Sequence, residues 1–365
     1  MKEAEKRRYV GIDLGKREYT MAIIGRNGKI SIHKGKTTEK GRVAMYRMLE
    51  KSDKVALEAG NMAFRMTGEI MRQAGSEVRV LNSAKLPFIW DTPTKTDKED
   101  AMKLAHLVEE RRDEKLPIVP LPSEKEMERR ELMSNYQREV KGRTRVINTL
   151  HSLFWKQGHT EIVRKNLATV AKAREAIKVL TGQIREDAEW QIGHFELYEK
   201  RLKELKDKIK GEAKEDENMQ HLQSIAGVGP VVAYAFVAHV GDGSRFNNGS
   251  QVSNFLGFVP RLDYSGTIQR NGHISKRGNG HLRGLLVQAA WVMVRSGKGG
   301  ALKDRYVHLT TEQGKSKKKT IVSIGRRIAE LMYSILQSKM DYEVRPWKSP
   351  LKKPAALAEQ AMISA

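Results

Sequence analysis

The sequence predicts an α/β region at the amino-terminal end of the chain, followed by a mostly helical remainder. Short β-rich runs punctuated by glycine, such as YVGIDLGKREYTMAIIG and KVALEAG, occupy the first part. Apolar residues at helical spacing dominate after the Pro-rich segment LPIVPLPSEK. A chain of 365 residues is too long for one small module, so we expect two or three units.

In the first region, runs of alternating and continuous apolar residues predict strands, and apolar residues at helical spacing predict helices. The opening run and KISIHKG predict two or three strands joined by hairpins, GRVAMYRMLEKS a helix, and KVALEAG a further strand. NMAFRMTGEIMRQAG, EVRVLNS and KEDAMKLAHLVEERR continue as helix, strand and helix. The order β-β-β-α-β-α-β-α matches a ribonuclease-H-like domain, which we assign to residues 1–118.

Two long amphipathic helices are predicted beyond the Pro-rich connector. Their apolar stripes are Leu132, Tyr136, Val140, Ile147, Leu150 and Phe154 in the first, and Ile184, Ala188, Phe195, Tyr198, Leu202, Leu205 and Ile209 in the second. Such stripes pack against a partner helix, so residues 119–215 are expected to form a helical hairpin or coiled coil. We expect this segment to serve as a packed stalk or as a dimer seam.

A third unit is expected over residues 216–340, with a flexible tail at 341–365. The segment IAGVGPVVAYAFVAHVGD predicts helix, Gly-Val-Gly turn and helix, a helix-hairpin-helix pattern. Gly227 and Gly229 would expose backbone N–H groups to a nucleic-acid phosphate at the start of the second helix. A tight packing turn between two helices is the alternative interpretation.

The charge and cysteine content narrow the classes of function. The chain has 67 Lys and Arg against 44 Asp and Glu, a net charge of +23 that attracts polyanions, nucleic acid first. It has no cysteine, which excludes disulfides, thiolate zinc sites and a cysteine nucleophile. No apolar stretch approaches the ~18 residues that span a bilayer, so we expect a cytoplasmic protein without a membrane partner.

Four acidic residues are candidates for a metal site: Asp13, Glu58, Asp97 and Asp100. The first two end predicted strands beside small residues, and the last two share one face of a helix. A divalent cation would offset the repulsion between neighbouring carboxylates, and hard oxygen ligands favour Mg²⁺ or Mn²⁺. The alternatives are a turn-capping Asp13, in a GIDLG sequence that also fits sugar-kinase-like ATPases, and helix capping by the other pair.

The Gly-rich segment FLGFVPRLDYSGTIQRNGHISKRGNGHLRG contains basic residues that can pair with phosphates. These residues are Arg261, Arg270, Lys276, Arg277 and Arg283. Ser265 and Ser275 are candidate nucleophiles, although serine in such a segment is usually a turn residue. Three histidines could transfer protons, or could serve structure or phosphate contact: His239, His273 and His281.

Taken together, these segments resemble the insertion sequence one-ten family of transposases, the DEDD recombinases, to which the pilin-gene inversion recombinase is also related. The resemblance covers nearly the whole chain. It rests on five motifs in order: YVGIDLGK, LEAG, KTDKEDAMKLA, LQSIAGVGPVVAYAFVAHVGD and FLGFVPRLDYSG…GHISKRGNGHLRGLL. It implies a RuvC-like first domain whose acidic tetrad falls on the four carboxylates named above.

The resemblance also implies a serine nucleophile in a Ser-Gly motif that follows a Val-Pro segment. That serine maps onto Ser265. Family members commonly have Ser-Ser-Gly-Gly where this chain has Tyr264-Ser265-Gly266-Thr267, so Ser275 in GHISKRG is retained as the alternative.

A mechanism and a set of partners follow from the resemblance. The serine would attack a DNA phosphodiester to form a covalent phosphoserine link, assisted by the acidic site and Mg²⁺. Donor and target DNA would be chosen by pairing with a structured bridge RNA. Dimers would pair into tetramers, with domains from different subunits completing each site in a nucleoid-associated bacterial or archaeal protein. A RuvC-like nuclease or junction resolvase that uses water, and a non-catalytic nucleic-acid-binding protein, remain the alternatives.

Overall fold

The computed structural model describes residues 7–60, 62–82, 85–86, 96–265 and 268–344, with only the backbone at 262–265 and 268–271. The chain divides into two units, the first ending at Ser123 and the second beginning at Glu124. The further division of the second unit into stalk, third domain and tail remains a prediction. From residue 345 onward, the expected tail lies outside the described residues.

A five-stranded mixed sheet forms the centre of the first unit. Its strands are β1 (Tyr9–Leu14), β2 (Glu18–Ile24), β3 (Ile30–Lys36), β4 (Lys54–Glu58) and β5 (Glu77–Leu81). Three helices accompany it in the described ranges: α1 (Glu39–Met48), α2 (Ala63–Gln73) and α3 (Asp97–Glu110). The strand order is β3-β2-β1-β4-β5, with antiparallel pairing among the first three strands and parallel pairing of β4 with β1 and β5. The predicted order of elements is confirmed for the described residues.

The two faces of this sheet carry different helices. Ile12 and Leu57 are buried in an apolar core with residues of α1 and α2. Their neighbours along the strands, Gly11 and Ala56, contact α3 on the opposite face. Such a mixed sheet with helices on both faces is consistent with a ribonuclease-H-like domain.

The second unit is mostly helical. Its helices are α4 (Glu124–Lys156), α5 (Val170–Ala176), α6 (Gly182–Glu215), α7 (Glu217–Gln223), α8 (Pro230–Val240), α9 (Gly249–Phe255), α10 (Gly280–Arg295), α11 (Gly300–Val307) and α12 (Lys317–Ser338). The two predicted long helices are present as α4 and α6. Leu150 and Ile192 belong to one buried apolar cluster, and Met133 and Ile209 belong to another, so the two helices run in opposite directions.

Helix α8 is the inner helix of the carboxyl-terminal core. It is almost entirely apolar, and Tyr234 and Phe236 in its centre are at most 1% exposed. Helices α4, α6, α7 and α10 contact it. An apolar surface on every side is expected for a helix enclosed in this way. No helix among the described residues is long and apolar enough to cross a membrane.

A two-stranded antiparallel sheet interrupts the helices of the second unit. It consists of β6 (Pro260–Ser265) and β7 (Ile268–Ile274). This segment is Gly-rich and basic, and its sequence pattern did not predict strands. The hairpin determines the position of Ser265, which is the last residue of β6.

Candidate functional site

Asp13 and Glu58 lie next to each other at the ends of two parallel strands. Ile12 of β1 is paired in register with Leu57 of β4, so the two carboxylates occupy the next position on each strand. Successive side chains of a strand point to opposite faces. Because Ile12 and Leu57 face α1 and α2, the two carboxylates point to the face that α3 covers.

Helix α3 approaches that face closely at Gly11. A Cβ atom on Gly11 would lie 2.0 Å from the carbonyl oxygen of Ala101 and 2.4 Å from the amide nitrogen of Ala105. Only glycine therefore allows this contact between strand and helix. Asp100 immediately precedes Ala101 and is only 8% exposed, whereas Asp97 is exposed in the first turn. The fold thus brings Asp13, Glu58 and α3 to one face of the sheet.

The environment of Asp100 fits a metal ligand. Its Oδ1 atom is buried and accepts no hydrogen bond in the described part of the chain. A buried carboxylate oxygen without a partner is costly, and a hard cation is a partner that suits it. The helix N-cap is Thr96, whose hydroxyl accepts from the Glu99 amide at 3.3 Å, so capping does not require Asp97 or Asp100. Within the described ranges, no group of three or more His, Asp or Glu side chains is gathered closely enough to hold a metal ion.

The candidate nucleophile Ser265 is the last residue of β6. It is paired in register with Ile268, the first residue of β7, so it lies where the hairpin turns. Residues 266–267 lie outside the described residues, and so does the side chain of Ser265. The alternative nucleophile, Ser275, follows β7 at the opposite end of the hairpin, and its Oγ is buried with no hydrogen-bond partner among the described residues.

The base of this hairpin is tightly packed. Gly257 and Gly278 both adopt positive φ, +72° and +76°. A Cβ on Gly257 would lie 2.1 Å from the carbonyl oxygen of Arg277, and one on Gly278 would lie 2.1 Å from that of Phe255. The chain entering the hairpin and the chain leaving it are therefore in backbone contact that only glycine permits.

The basic residues expected to contact nucleic acid have different environments. Three are exposed: Arg261, Lys276 and Arg277. The side chain of Arg270 lies outside the described residues. Arg283 is partly buried and donates hydrogen bonds to three backbone carbonyls, and burial lowers the pKa of its guanidinium. The exposed three are free to meet a phosphate at the surface, whereas Arg283 is engaged within the protein.

The Gly-Val-Gly turn joins α7 to α8 as the sequence predicted. Gly227 has a φ of +88°, and a Cβ on it would lie 2.4 Å from the carbonyl oxygen of Ala289 in α10. Close helix packing therefore explains this glycine. Gly229 is the N-cap of α8, and apart from its own atoms and those of its two chain neighbours no heavy atom of the described residues lies within 4 Å of a Cβ placed on it. Only Gly229 is left with an open surface that suits a phosphate contact.

Asn279 connects α8 to α10, a role that the sequence analysis missed. Its Oδ1 accepts from the amides of His281 at 2.9 Å and Leu282 at 3.0 Å, and its Nδ2 lies 2.7 Å from His239 Nε2. Since an amide Nδ2 can only donate, His239 accepts on Nε2 and carries its proton on Nδ1. Burial, together with the charge of Arg130, lowers the pKa of His239 to about 4. The N-cap signal of Asn before a helical run could have identified Asn279.

Two family models match the chain. The model described as transposase of the IS116/IS110/IS902 family matches residues 219–306, and the DEDD transposase model of IS110 matches residues 10–156. The first match contains the β6–β7 hairpin, and the second contains the sheet and the four carboxylates.

Several transposases are similar in sequence. A probable family 20 transposase of Pseudomonas aeruginosa is 29% identical over 245 residues, covering 66% of this chain and 71% of the relative. The transposase for insertion sequence element IS1111A of Coxiella burnetii is 28% identical over 58% of this chain and 59% of the relative. A pilin gene-inverting protein of Moraxella bovis is 28% identical over 34% of this chain and 38% of its own length. The chain therefore belongs to the IS116/IS110/IS902 family of transposases and is a DNA transposase or recombinase.

Proposed function

We propose that this transposase cleaves and rejoins DNA with Ser265 as its nucleophile, assisted by a divalent-metal site in the first unit. The observation that carries the proposal is the position of Ser265 at the turn of a hairpin within the matched segment 219–306. Binding and catalytic residues lie disproportionately often on connecting segments that a rigid scaffold holds in place, as this turn is held between two paired strands. The exposed side chains of Arg261, Lys276 and Arg277 on the same segment support contact with phosphates.

In the proposed reaction, Ser265 Oγ attacks the phosphorus of a DNA phosphodiester. An Oγ–phosphorus bond forms, the bond from phosphorus to one DNA oxygen breaks, and the serine proton passes to a base as the leaving oxygen is protonated. Attack by a DNA hydroxyl on the phosphoserine link then releases the serine and joins a new strand. In each step one ester bond to phosphorus forms as another breaks, so no external energy source is needed.

Four side chains would hold the metal: Asp13, Glu58, Asp97 and Asp100. Their oxygen ligands and the unpartnered Oδ1 of Asp100 fit Mg²⁺ or Mn²⁺. When bound, the metal would stabilise negative charge on phosphoryl oxygens. Asp13 and Glu58 would contribute their ligands from the face of the sheet that α3 covers.

We also propose the wider assembly that family membership suggests. Donor and target DNA would be selected by pairing with a structured bridge RNA, on dimers that pair into tetramers in the nucleoid. The net charge of +23 supports binding of two kinds of polyanion. Gly229 and the exposed arginines would contribute contacts to the backbone rather than to bases.

A denaturing gel tests the chemistry directly. Protein, Mg²⁺, candidate bridge RNA and end-labelled cognate DNA are incubated together, and we expect a protein–DNA adduct that resists denaturation. Ser265→Ala should lose the adduct and keep DNA binding, while the matched variant Ser275→Ala should keep both. Cleavage that persists in Ser265→Ala without an adduct would instead indicate a hydrolytic RuvC-like nuclease. Tight binding without cleavage under any condition would indicate a binding protein.

The carboxylates are tested in the same assay. Asp13→Ala and Asp97→Ala should abolish adduct formation while RNA binding, measured by filter retention, changes little. Circular dichroism serves as the folding control. Loss of the folded spectrum in either variant would assign that residue a structural role instead.

A further inference from the structure

Arg283 of α10 lies where the two ends of the β6–β7 hairpin meet. Its Nη1 donates to the carbonyl oxygen of Leu256, at 2.7 Å, and to that of Arg277, at 3.1 Å. Its Nη2 donates to the carbonyl oxygen of Lys276, at 3.2 Å. Leu256 precedes β6, and the other two residues follow β7. One guanidinium therefore joins the chain that enters the hairpin to the chain that leaves it.

The backbone that Arg283 holds is in an unusual conformation. Lys276 has a φ of +55°, a left-handed conformation that costs a non-glycine residue energy. Its amide donates to the carbonyl oxygen of Gly257 at 3.2 Å, and the neighbouring Ser275 amide donates to that of Val259 at 2.7 Å. Such a conformation persists only where surrounding contacts enforce it. The carbonyls of residues 276 and 277 end up directed at Arg283.

The same loop is anchored again three residues later. Asn279 receives hydrogen bonds from the first amides of α10 and donates one to His239 of α8. The side chains of Arg283 and Asn279 thus attach residues 276–279 to two core helices, in addition to the backbone bond from the Arg283 amide to the Asn279 carbonyl. The hairpin has a rigid base even though its sequence is rich in glycine.

Arg283 is poorly suited to contact DNA. Three of its five N–H groups are occupied by backbone carbonyls, and burial lowers the pKa of its guanidinium. Turning it toward a phosphate would break all three bonds. The adjacent Lys276 and Arg277 are exposed and better placed for that contact.

We propose that Arg283 is a positioning residue for the nucleophilic serine. It fixes the base of the hairpin so that Ser265, at the opposite end, is presented to the phosphodiester in one orientation. This inference rests on the proposed function, in which Ser265 is the nucleophile. It differs from the phosphate contact that the sequence suggested for Arg283.

The test compares DNA affinity with the rate of adduct formation in the full-length protein. Arg283→Gln should slow single-turnover adduct formation at saturating DNA by about 10- to 100-fold, because a misplaced nucleophile loses rate rather than affinity. The Kd for cognate DNA and its salt dependence should stay within about twofold of wild type. Arg283→Lys should recover part of the rate, since one ammonium can satisfy some of the three carbonyls.

Arg277→Gln is the matched comparison, because it removes an exposed guanidinium from the same loop. It should weaken DNA binding and reduce the slope of log K against log salt by about 1, as expected for a lost phosphate contact. The same pattern in Arg283→Gln would overturn the proposal, and so would a wild-type rate in that variant. If Arg283→Gln does not fold, Arg283→Lys decides: a wild-type adduct rate, or a weaker Kd at an unchanged rate, would overturn the proposal.

A different result would contradict the proposed function, independently of the role of Arg283. An adduct that persists in Ser265→Ala would remove the nucleophile assignment whatever the Arg283 variants do. If Ser265→Ala loses the adduct while both Arg283 variants form it at the wild-type rate, only the positioning role is overturned.

Discussion

Asp100 is a buried carboxylate whose Oδ1 has no hydrogen-bond partner among the described residues. Asp100→Asn should therefore stabilise the metal-free protein by about 1 kcal/mol, because a neutral amide costs less to bury than a charged carboxylate. It should also remove any stabilisation by Mg²⁺. Thermal melts with EDTA and with Mg²⁺ measure both effects.

The exposed Asp97 provides the control for that experiment. Asp97→Asn should change the stability of the metal-free protein by less than about 1 kcal/mol, since only a helix-dipole contact is altered. An Asp100→Asn protein that melts well below wild type in EDTA would mean that the carboxylate is satisfied without a metal.

His239 should make the stability of the second unit depend on pH. Its pKa is about 4 in the folded protein, below the ordinary value near 6.5. Burial is the largest cause of this lowering, and the positive charges of Arg130, His281 and Arg245 add to it. Below about pH 6.5, the unfolded chain binds a proton that the folded protein does not. Stability should fall as the pH drops from about 6.5 to 4, with a slope of up to about 1.4 kcal/mol per pH unit from this group.

His239→Gln should flatten that slope, since glutamine offers Asn279 an acceptor that does not titrate in this range. Urea unfolding at several pH values measures the slope in both proteins. His281, whose pKa is also lowered by burial and by Lys141, remains in the variant and accounts for a residual slope of the same sign. An unchanged slope in His239→Gln would contradict the neutral, buried state of His239.

The sequence indicated the roles of some residues but not those of others. The four carboxylates stand out because each lies beside a strand end or in a first helical turn, which local patterns indicate. The roles of Arg283 and Asn279 depend on Leu256 and His239, which are 27 and 40 residues away. Without knowledge of the packing, Arg283 is indistinguishable from the exposed arginines around it.

Among the elements, α3 and β1 pack so closely that Gly11 leaves no room for a side chain. Gly11→Ala would bring a Cβ to 2.0 Å from the Ala101 carbonyl, a backbone atom that cannot move without the helix. We expect a loss of about 1 to 3 kcal/mol in the free energy of unfolding and a loss of activity, since Asp100 would move with α3.

Urea unfolding and the adduct assay check this prediction. Gly60→Ala is the control in the same unit, because the nearest heavy atom to its Cβ position is 4.0 Å away. It should retain the stability of the wild-type protein to within about 0.5 kcal/mol. Wild-type stability in Gly11→Ala would show that α3 does not pack on β1 as described.

The elements themselves were largely predictable where apolar periodicity is strong. The α/β order of the first unit and helices α4 and α6 follow from that periodicity alone. The β6–β7 hairpin was missed because LDYSGTIQRNGHI has little apolar alternation. Its strands are held by their pairing and by the hydrogen bonds of Arg283 at their base. Strand formation of this kind depends on context rather than on local preference.

At the scale of the whole molecule, the two units carry different parts of the proposed chemistry. The first contains the four carboxylates, and the second contains Ser265 at the turn of the hairpin and the exposed basic residues near its base. The order of the five motifs already indicated family membership. No single motif is specific to the family, but their succession along the chain is. The bridge RNA and the tetramer are proposals, because the contacts within one chain do not include those with an RNA or with a second subunit.

The most direct test of the central claim is to identify the amino acid that becomes attached to DNA. The adduct is isolated under denaturing conditions and digested with nuclease and protease, and its peptides are sequenced by mass spectrometry. The assignment of Ser265 as the nucleophile predicts a nucleotide remnant linked through phosphate to this residue. A remnant on Ser275 or on any other residue, or cleaved DNA with no attached peptide, would contradict it.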